Sequence, residues 1–165
     1  MNIVIREFCL EDAEQVTDIW NEIVDDGEAF PQIEKLNFFD GSAADFFLSQ
    51  SYCGVATDSD NGKILGLYIL HPNNIGRCGH ISNASFAVSS IARGLGIGEK
   101  LVLDCLEKAK SFGFGILQFN AVVKTNIAAR KLYKKLGFVE LGTVPNGYLK
   151  KDGSYEDIVL YYHTL

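Results

Sequence analysis

The amino-acid sequence predicts an α+β fold, a mixed but mostly antiparallel sheet of about seven strands with about four helices packed on it. Three observations support this fold class. Short apolar runs separated by turn-forming residues recur along the chain, as is typical of strands. Two longer segments repeat apolar residues at helical spacing. A glycine-rich loop joins one apolar run directly to the second of these helical segments.

The elements before the glycine loop follow from local patterns. Ile3 and Ile5 alternate with polar residues and indicate the first strand. Acidic residues followed by apolar residues at helical spacing predict a helix from about Glu11 to Val24. The apolar runs 52–57 and 64–71 are separated by turn formers, which predicts an antiparallel hairpin. The other predictions for this part are a loop over 25–31, a short helix over 43–49 capped by Ser42, and a strand over 79–88.

The elements after the glycine loop are predicted in the same way. An amphipathic helix follows the loop and ends at Gly113. A strand over 116–123 and a short helix over 126–136, with Gly137 as its C-terminal cap, come next. The last two strands are predicted over 138–144 and 157–164. We expect two turns between them, at Pro145–Gly147 and at Lys151–Gly153.

Length and composition indicate a single domain over residues 1–165. The chain is 47% hydrophobic and 22% charged, as is usual for a globular protein. The formal net charge of −6 argues against general affinity for nucleic acid or an anionic membrane. The four cysteines have no C-x-x-C spacing, and no segment has the pattern of a signal peptide or membrane span. We therefore expect a cytoplasmic protein with reduced thiols and no metal site.

The stretch Arg93-Gly-Leu-Gly-Ile-Gly98 lies between a predicted strand and a predicted helix. Glycines let the backbone approach a ligand closely. A helix N-terminus adds unpaired N–H groups and the positive end of the helix dipole. Together these features predict a phosphate cradle. The stretch is not a Walker A loop, and Glu99 stands where a dinucleotide fingerprint needs its last glycine.

Two motifs carry a family resemblance. The residues from Arg93 to Gly98 match the Arg/Gln-x-x-Gly-x-Gly/Ala signature of the GNAT superfamily of acyl-CoA N-acyltransferases. Downstream, Asn126-x-Ala-x-x-x-Leu-Tyr133-x-x-Leu-Gly-Phe138 resembles the second signature of that superfamily. The two signatures occur in the expected order, each at a strand-to-helix junction. The resemblance implies a GNAT-like fold and acetyl-CoA as the co-substrate, without a metal.

A closer likeness concerns the acceptor. His71-Pro-Asn-Asn-Ile-Gly-Arg-Cys78, followed by His80 and Asn83-Ala84, resembles the fungal acetyltransferases that act on proline analogues such as azetidine-2-carboxylate. It implies that the acceptor is a small-molecule amine, an amino acid or a proline analogue, and not nucleic acid or membrane. A protein N-terminal or ribosomal-protein acetyltransferase and a non-catalytic CoA-binding sensor remain alternatives. Dimers are common in the resembling family, so a homodimer is a further expectation.

The resemblance also suggests which residues bind the co-substrate. In the family, the strand before the loop pairs with the pantetheine arm and carries a bulge that splays it from the next strand. Small residues at Ser82, Ala84 and Ser85 leave room for such a bulge. The predicted co-substrate contacts are Phe86, Ala87, Val88, Arg93, Gly94, Leu95, Gly96, Ile97, Gly98, Glu99, Asn126, Ala129 and Tyr133.

The predicted catalytic residues are Tyr133, Asn83 and Asn126. Tyr133 matches the tyrosine of the family that protonates the CoA thiolate, and packing on an apolar stripe is its alternative role. Asn126 can also cap its helix, and Asn83 can instead make a cross-strand hydrogen bond. For the acceptor we predict contacts from Glu28, Phe30, Asn83 and Asn120. The general base stays open between Glu28, His80 and an ordered water. No cysteine has a basic partner at recognisable spacing, so direct attack in a ternary complex is expected.

Overall fold

Seven strands form one sheet in the computed structural model, which describes residues 1–165. The strands are β1 (Ile3–Glu7), β2 (Tyr52–Asp58), β3 (Lys63–Pro72), β4 (Ile81–Val88), β5 (Ile116–Val123), β6 (Val139–Leu149) and β7 (Tyr155–Thr164). Their order across the sheet is β1-β2-β3-β4-β5-β7-β6. Every neighbouring pair is antiparallel except β4 and β5, which are parallel. The predicted mixed, mostly antiparallel sheet is confirmed.

Four α-helices pack on this sheet. They are α1 (Ala13–Asp26), α2 (Ser42–Leu48), α3 (Ile97–Ser111) and α4 (Ile127–Lys135). A 3-10 turn at Leu10–Asp12 precedes α1, so this helix begins slightly later than predicted, and it continues to Asp26. Ser42 begins α2 and does not cap it, because Gly41 occupies the cap position and the Ser42 N–H donates to Asp40 Oδ1 at 2.9 Å. None of the helices is long and apolar enough to cross a membrane.

The predicted turn at Pro145–Gly147 is wrong. These residues lie inside β6, which continues to Leu149. The pairing of β6 with β7 shifts register between Val144 and Tyr148, and Asn146 there has a φ of 55°. The segment is therefore an irregularity within a long strand. Only the second predicted turn joins β6 to β7, where the Lys150 N–H donates to the Ser154 carbonyl at 2.8 Å.

Helices cover both faces of the sheet. One apolar cluster packs α3 and α4 on one face, and a second packs α1 and α2 on the opposite face. Leu101 and Cys105 belong to the first cluster, whereas Trp20 and Phe47 belong to the second. The interior strand β3 is buried along most of its length because side chains on both of its faces enter a core.

The parallel strands β4 and β5 pair only at their N-terminal ends. Ile81 faces Ile116 and Ser82 faces Leu117, and beyond these residues the two strands diverge. The predicted bulge in β4 is wrong, because β4 pairs with β3 in one continuous register from Ser82 to Val88. The irregularity lies in β5, where the register with β7 shifts between Phe119 and Val122. This bulge bends β5 away from β4 and opens a cleft through the sheet.

Candidate active site

A cleft of about 890 Å³ occupies the gap between β4 and β5. It is open to both faces of the sheet. On one face, Gly98 and Val102 of α3 and the first two turns of α4 line it; on the other, the end of α1 and the loop after it do. The residues that line the gap itself are Asn83, Ala84, Ser85, Phe86 and Val88 of β4 and 119–123 of β5.

The register of β4 determines which of its backbone groups face the cleft. The Ser89 N–H donates to the Leu65 carbonyl at 2.9 Å, and hydrogen-bonded pairs alternate along an antiparallel ladder. Ala87 therefore pairs with β3, whereas Phe86 and Val88 direct their backbone groups into the cleft. The Ala87 side chain is also buried against the α1 face, only 1% exposed. Ala87 is thus removed from the predicted co-substrate contacts.

Asn83 makes a local hydrogen bond rather than the cross-strand bond that was its alternative. Its Oδ1 accepts the backbone N–H of Ala84 at 2.7 Å. This leaves the N–H groups of Phe86 and Val88 as the free donors of β4 in the cleft. The Asn83 side-chain nitrogen has no partner in the chain, so both of its N–H groups are free to donate to a ligand in the cleft, whereas its oxygen already accepts one hydrogen bond.

The glycine loop, Arg93–Glu99, presents a set of unpaired N–H groups. The N–H groups of Gly94, Gly96, Ile97, Gly98 and Glu99 have no acceptor in the chain. Gly94 and Gly96 have φ values of 79° and 75°, which other residues adopt at a cost. Because α3 begins at Ile97, these donors lie at the positive end of a helix of 15 residues. The loop can therefore hold a phosphate group.

The side chains of the loop contribute little to that cradle. Ile97 is buried in the core, Leu95 is half exposed, and Glu99 pairs with Lys135 Nζ of α4 at 2.7 Å. Arg93 is the one cationic side chain of the loop, and its Nη2 lies 2.9 Å from Asp26 Oδ2 at the end of α1. Ile97 and Glu99 therefore offer the loop only their backbone N–H groups, and the Leu95 N–H already donates to the Ala92 carbonyl at 3.4 Å.

Tyr133 lines the other side of the cleft, on α4. Its ring packs against Phe119, with centroids 4.6 Å apart, and against Phe138 at 5.4 Å. The only fully buried side-chain polar atom without a partner is the Thr17 hydroxyl, so the unpaired Tyr133 hydroxyl is open to the cleft. Burial raises the pKa of Tyr133, with smaller contributions from Cys105 and Tyr161. The hydroxyl is therefore protonated at neutral pH and can donate a proton.

Asn126 caps α4, as one of its two predicted roles required. Its Oδ1 accepts the N–H of Ala129 at 3.3 Å. Both residues also line the cleft, and the neighbouring Ala128 N–H has no partner in the chain. The capping bond fixes the first turn of α4, which carries Tyr133 two turns further along.

The α1 face of the cleft holds the residues predicted for the acceptor. Glu28 is exposed and lines the cleft. Phe30 is buried, and its carbonyl accepts the Tyr148 hydroxyl of β6 at 2.8 Å. Asn120 of β5 lines the cleft and donates to Asn73 Oδ1 at 2.6 Å. His80 is separate from this group, since it precedes β4 at the closed end of the gap, and it is removed as a candidate base.

Sequence reasoning missed Asp26 and Asn73. Asp26 lines the cleft and binds Arg93, which lies 67 residues away in the chain. Asn73 holds Asn120 across 47 residues. No local pattern reports such pairs, because only the sheet order brings these segments together.

Comparisons with family models, curated proteins and solved structures all identify the same family. The model of the acetyltransferase (GNAT) family matches residues 14–138. The N-acetyltransferase aca1 of Schizosaccharomyces pombe is 39% identical over 113 residues, which are 66% of this chain and 54% of aca1. The chain thus spans about half the length of that relative. Among solved structures, a GCN5-related N-acetyltransferase from Kribbella flavida superposes with a TM-score of 0.89 and 33% identity, covering 99% of this chain and 98% of its own.

A second solved structure contains a bound ligand. The phosphinothricin acetyltransferase from Sinorhizobium meliloti, in complex with acetyl-CoA, superposes with a TM-score of 0.88 over 100% of this chain and 89% of its own. At 20% identity this likeness concerns the fold.

Proposed function

The chain belongs to the acetyltransferase (GNAT) family, and we propose that it transfers the acetyl group of acetyl-CoA to the amine of a small molecule, an amino acid or a proline analogue. One observation carries the proposal. A single cleft combines a phosphate-binding loop at one end, two free N–H groups of β4 along its edge and the Tyr133 hydroxyl opposite them. These are the groups that acetyl transfer from a CoA thioester requires.

Donor binding rests on backbone groups. The unpaired N–H groups of Gly94 and 96–99 would hold the pyrophosphate, with charge added by the dipole of α3. The free edge of β4 would pair with the amides of the pantetheine arm, as an added strand would. The Phe86 and Val88 N–H groups then lie beside the thioester, where one of them polarises the carbonyl.

The transfer itself needs two proton movements. The amine nitrogen attacks the carbonyl carbon, so that the C–N bond forms as the C–S bond breaks. The leaving thiolate takes the Tyr133 proton, and the proton lost by the amine goes to Glu28 or to an ordered water. No cysteine lines the cleft, and burial raises the pKa of Cys53 to about 12. This supports direct attack over an acetyl-cysteine intermediate.

The shape of the acceptor side supports a small acceptor over a protein. Tyr148 of β6 bonds the carbonyl of Phe30, and Lys151 contacts the carbonyl of Asp25. These contacts tie the end of β6 to the loop after α1, which lines the cleft on that face. A protein acceptor would have to bring its chain past this fixed loop to place an amine in the cleft, whereas a small amine would not.

The amides of the acceptor side support a carboxylate-bearing acceptor. Asn83 has both side-chain N–H groups free, while its oxygen already accepts the Ala84 N–H. The Asn120 oxygen accepts from Gln118 at 3.1 Å and from Asn73 at 3.4 Å. The group that Asn120 can still use to bind a ligand is therefore a side-chain N–H donor. Donors on both diverging strands suit a carboxylate. Glu28, on the opposite wall, suits the amine of the same molecule.

A screen of acceptors tests the proposed function. We expect thiol release from acetyl-CoA with proline, proline analogues or other small amino acids, and none above background with peptides, polyamines or aminoglycosides. Activity on peptides alone would contradict the small-molecule assignment. If calorimetry shows that acetyl-CoA binds but no acceptor in the panel gives thiol release, the protein would instead be a CoA-binding sensor.

Asn83→Ala tests the carboxylate contact. We expect the KM for an amino-acid acceptor to rise about tenfold, because a charge-assisted hydrogen bond contributes about 1.5–3 kcal/mol. The KM for the matching amine without a carboxylate should stay unchanged. Asn74→Ala is the control, since Asn74 is exposed and outside the cleft. An equal loss of kcat with both acceptors would instead assign Asn83 to the thioester carbonyl.

A further inference from the structure

Arg93 is held by the last turn of α1. Its guanidinium lies 2.9 Å from Asp26 Oδ2 and 4.0 Å from Glu22 Oε1. Glu22 Oε1 also accepts the backbone N–H of Ser90 at 3.1 Å, just before the glycine loop. The end of α1 and the start of the loop are therefore joined by one side-chain network. The one cationic side chain of the glycine loop is thus already paired with a carboxylate.

Asp26 is an unfavourable residue for the end of a helix. Asp25 and Asp26 are the last two residues of α1, whose final turn contains no basic side chain. Their carboxylates face the negative end of the helix dipole, so each gains from an external cation. Lys35 Nζ forms an ion pair with Asp25 Oδ2 at 3.2 Å, and Arg93 forms one with Asp26. Asp26 also lines the cleft, on the same wall as Glu28.

We propose that Asp26 is a positioning residue that couples the two substrates through Arg93, an inference that rests on the proposed function. Phosphate oxygens in the glycine loop compete with Asp26 for the guanidinium, because a phosphate carries more charge and more acceptor atoms than a carboxylate. Arg93 then turns to the donor, and Asp26 loses its counter-ion. Two carboxylates without a direct ion-pair partner, Asp26 and Glu28, are left on the acceptor wall, where the nearest cation, Lys151, is bonded to the Asp25 carbonyl. They attract an acceptor that arrives as an ammonium ion.

The coupling predicts that the donor and the amine acceptor bind cooperatively. Donor binding strengthens the binding of a cationic amine, and by thermodynamic linkage the amine strengthens the binding of the donor by the same factor. The size of the effect is bounded by the Arg93–Asp26 pair, which is about half exposed. Exposed ion pairs contribute about 0.2–1 kcal/mol, so the factor is about 1.4- to fivefold.

Asp26→Asn is the test, with Asp25→Asn as the matched control. Both variants remove one negative charge from adjacent exposed positions, but only Asp26 contacts Arg93. We expect calorimetry with CoA to give about 1.4- to fivefold tighter binding for Asp26→Asn than for Asp25→Asn. The KM for the amine acceptor at saturating acetyl-CoA should rise for Asp26→Asn alone.

Two further measurements separate coupling from a general charge effect. With S-acetylpantetheine, which lacks phosphates, the two variants should have the same donor KM. In an Arg93→Ala background, Asp26→Asn should no longer tighten CoA binding beyond Asp25→Asn. Equal CoA affinities of Asp26→Asn and Asp25→Asn would overturn the coupling while leaving the proposed function intact. A wild-type protein that does not bind CoA would overturn both.

Discussion

Replacing Tyr133 with phenylalanine is expected to lower kcat for acetyl transfer by about a hundred- to a thousandfold, the range typical of a lost general acid. The dissociation constant for acetyl-CoA should change by less than about twofold, because the ring keeps its contacts with Phe119 and Phe138. The Tyr133 hydroxyl makes no hydrogen bond within the chain, so its removal leaves no group of the protein unpaired. The loss therefore falls on the chemical step, which single-turnover kinetics with saturating donor measures.

Tyr161→Phe is the matched control. Tyr161 is 3% exposed, its ring lies 5.6 Å from that of Tyr133, and its hydroxyl bonds Arg130 outside the cleft. This variant should keep kcat within about threefold while losing some stability, since a hydrogen bond to a charged group such as Arg130 contributes about 1.5–3 kcal/mol. Equal losses in the two variants would assign Tyr133 a packing role only.

The pH dependence follows from the direction of the pKa shift. Burial raises the pKa of Tyr133 above its usual value of about 10, so the proton that it donates stays in place as the pH rises. The wild-type kcat should fall on the acid side, where the attacking amine and its base become protonated. It should show no decline on the alkaline side below about pH 10. A decline centred near pH 8 would assign the acid to another group.

Local patterns predicted most of the secondary structure and the phosphate-binding loop. The hairpin of β2 and β3 and the junction from β4 through the glycine loop to α3 depend on neighbours in sequence, and both lie where expected. The predicted turn at Pro145–Gly147 was wrong because Pro and Asn-Gly occur in turns and also in irregular parts of strands. The pairs that β6 makes with β7 on either side of this segment keep it within the strand, and the sequence alone does not show these pairs.

In the cleft, too, local motifs predicted some features, whereas others depend on long-range strand pairing. The glycine loop and Tyr133 each belong to a motif, and both line the cleft. The bulge that opens the cleft is in β5 and not in β4, because the pairing partner of β5 is β7, from the C-terminal end of the chain. Ala87 was assigned with its neighbours Phe86 and Val88, although strand alternation directs it to the other face. The register of β4 with β3 determines which alternate residues of β4 direct their backbone groups into the cleft.

The glycine loop provides the second large effect. Gly96→Ala should weaken CoA binding about tenfold or more, as calorimetry would measure. Gly96 has a φ of 75°, and an alanine in that conformation costs about 1–2 kcal/mol. The loop can relieve this strain only by rotating the backbone that directs the N–H groups of 96–99 at the ligand. Relief of the strain therefore turns these N–H groups away from the ligand, and CoA affinity falls.

Gly98→Ala distinguishes these effects from a general loss of glycine. Gly98 has no positive φ, and an added Cβ would meet Leu132 at 3.8 Å and Val88 at 3.9 Å, which are ordinary contacts. Alanine is also allowed at this position of the signature and favours a helix over glycine by about 1 kcal/mol. Gly98→Ala should therefore unfold at a higher denaturant concentration than wild type and bind CoA within about threefold of it. If Gly96→Ala also bound CoA like the wild type, the backbone of the loop would not be the phosphate anchor, and Arg93 would have to supply most of the donor affinity.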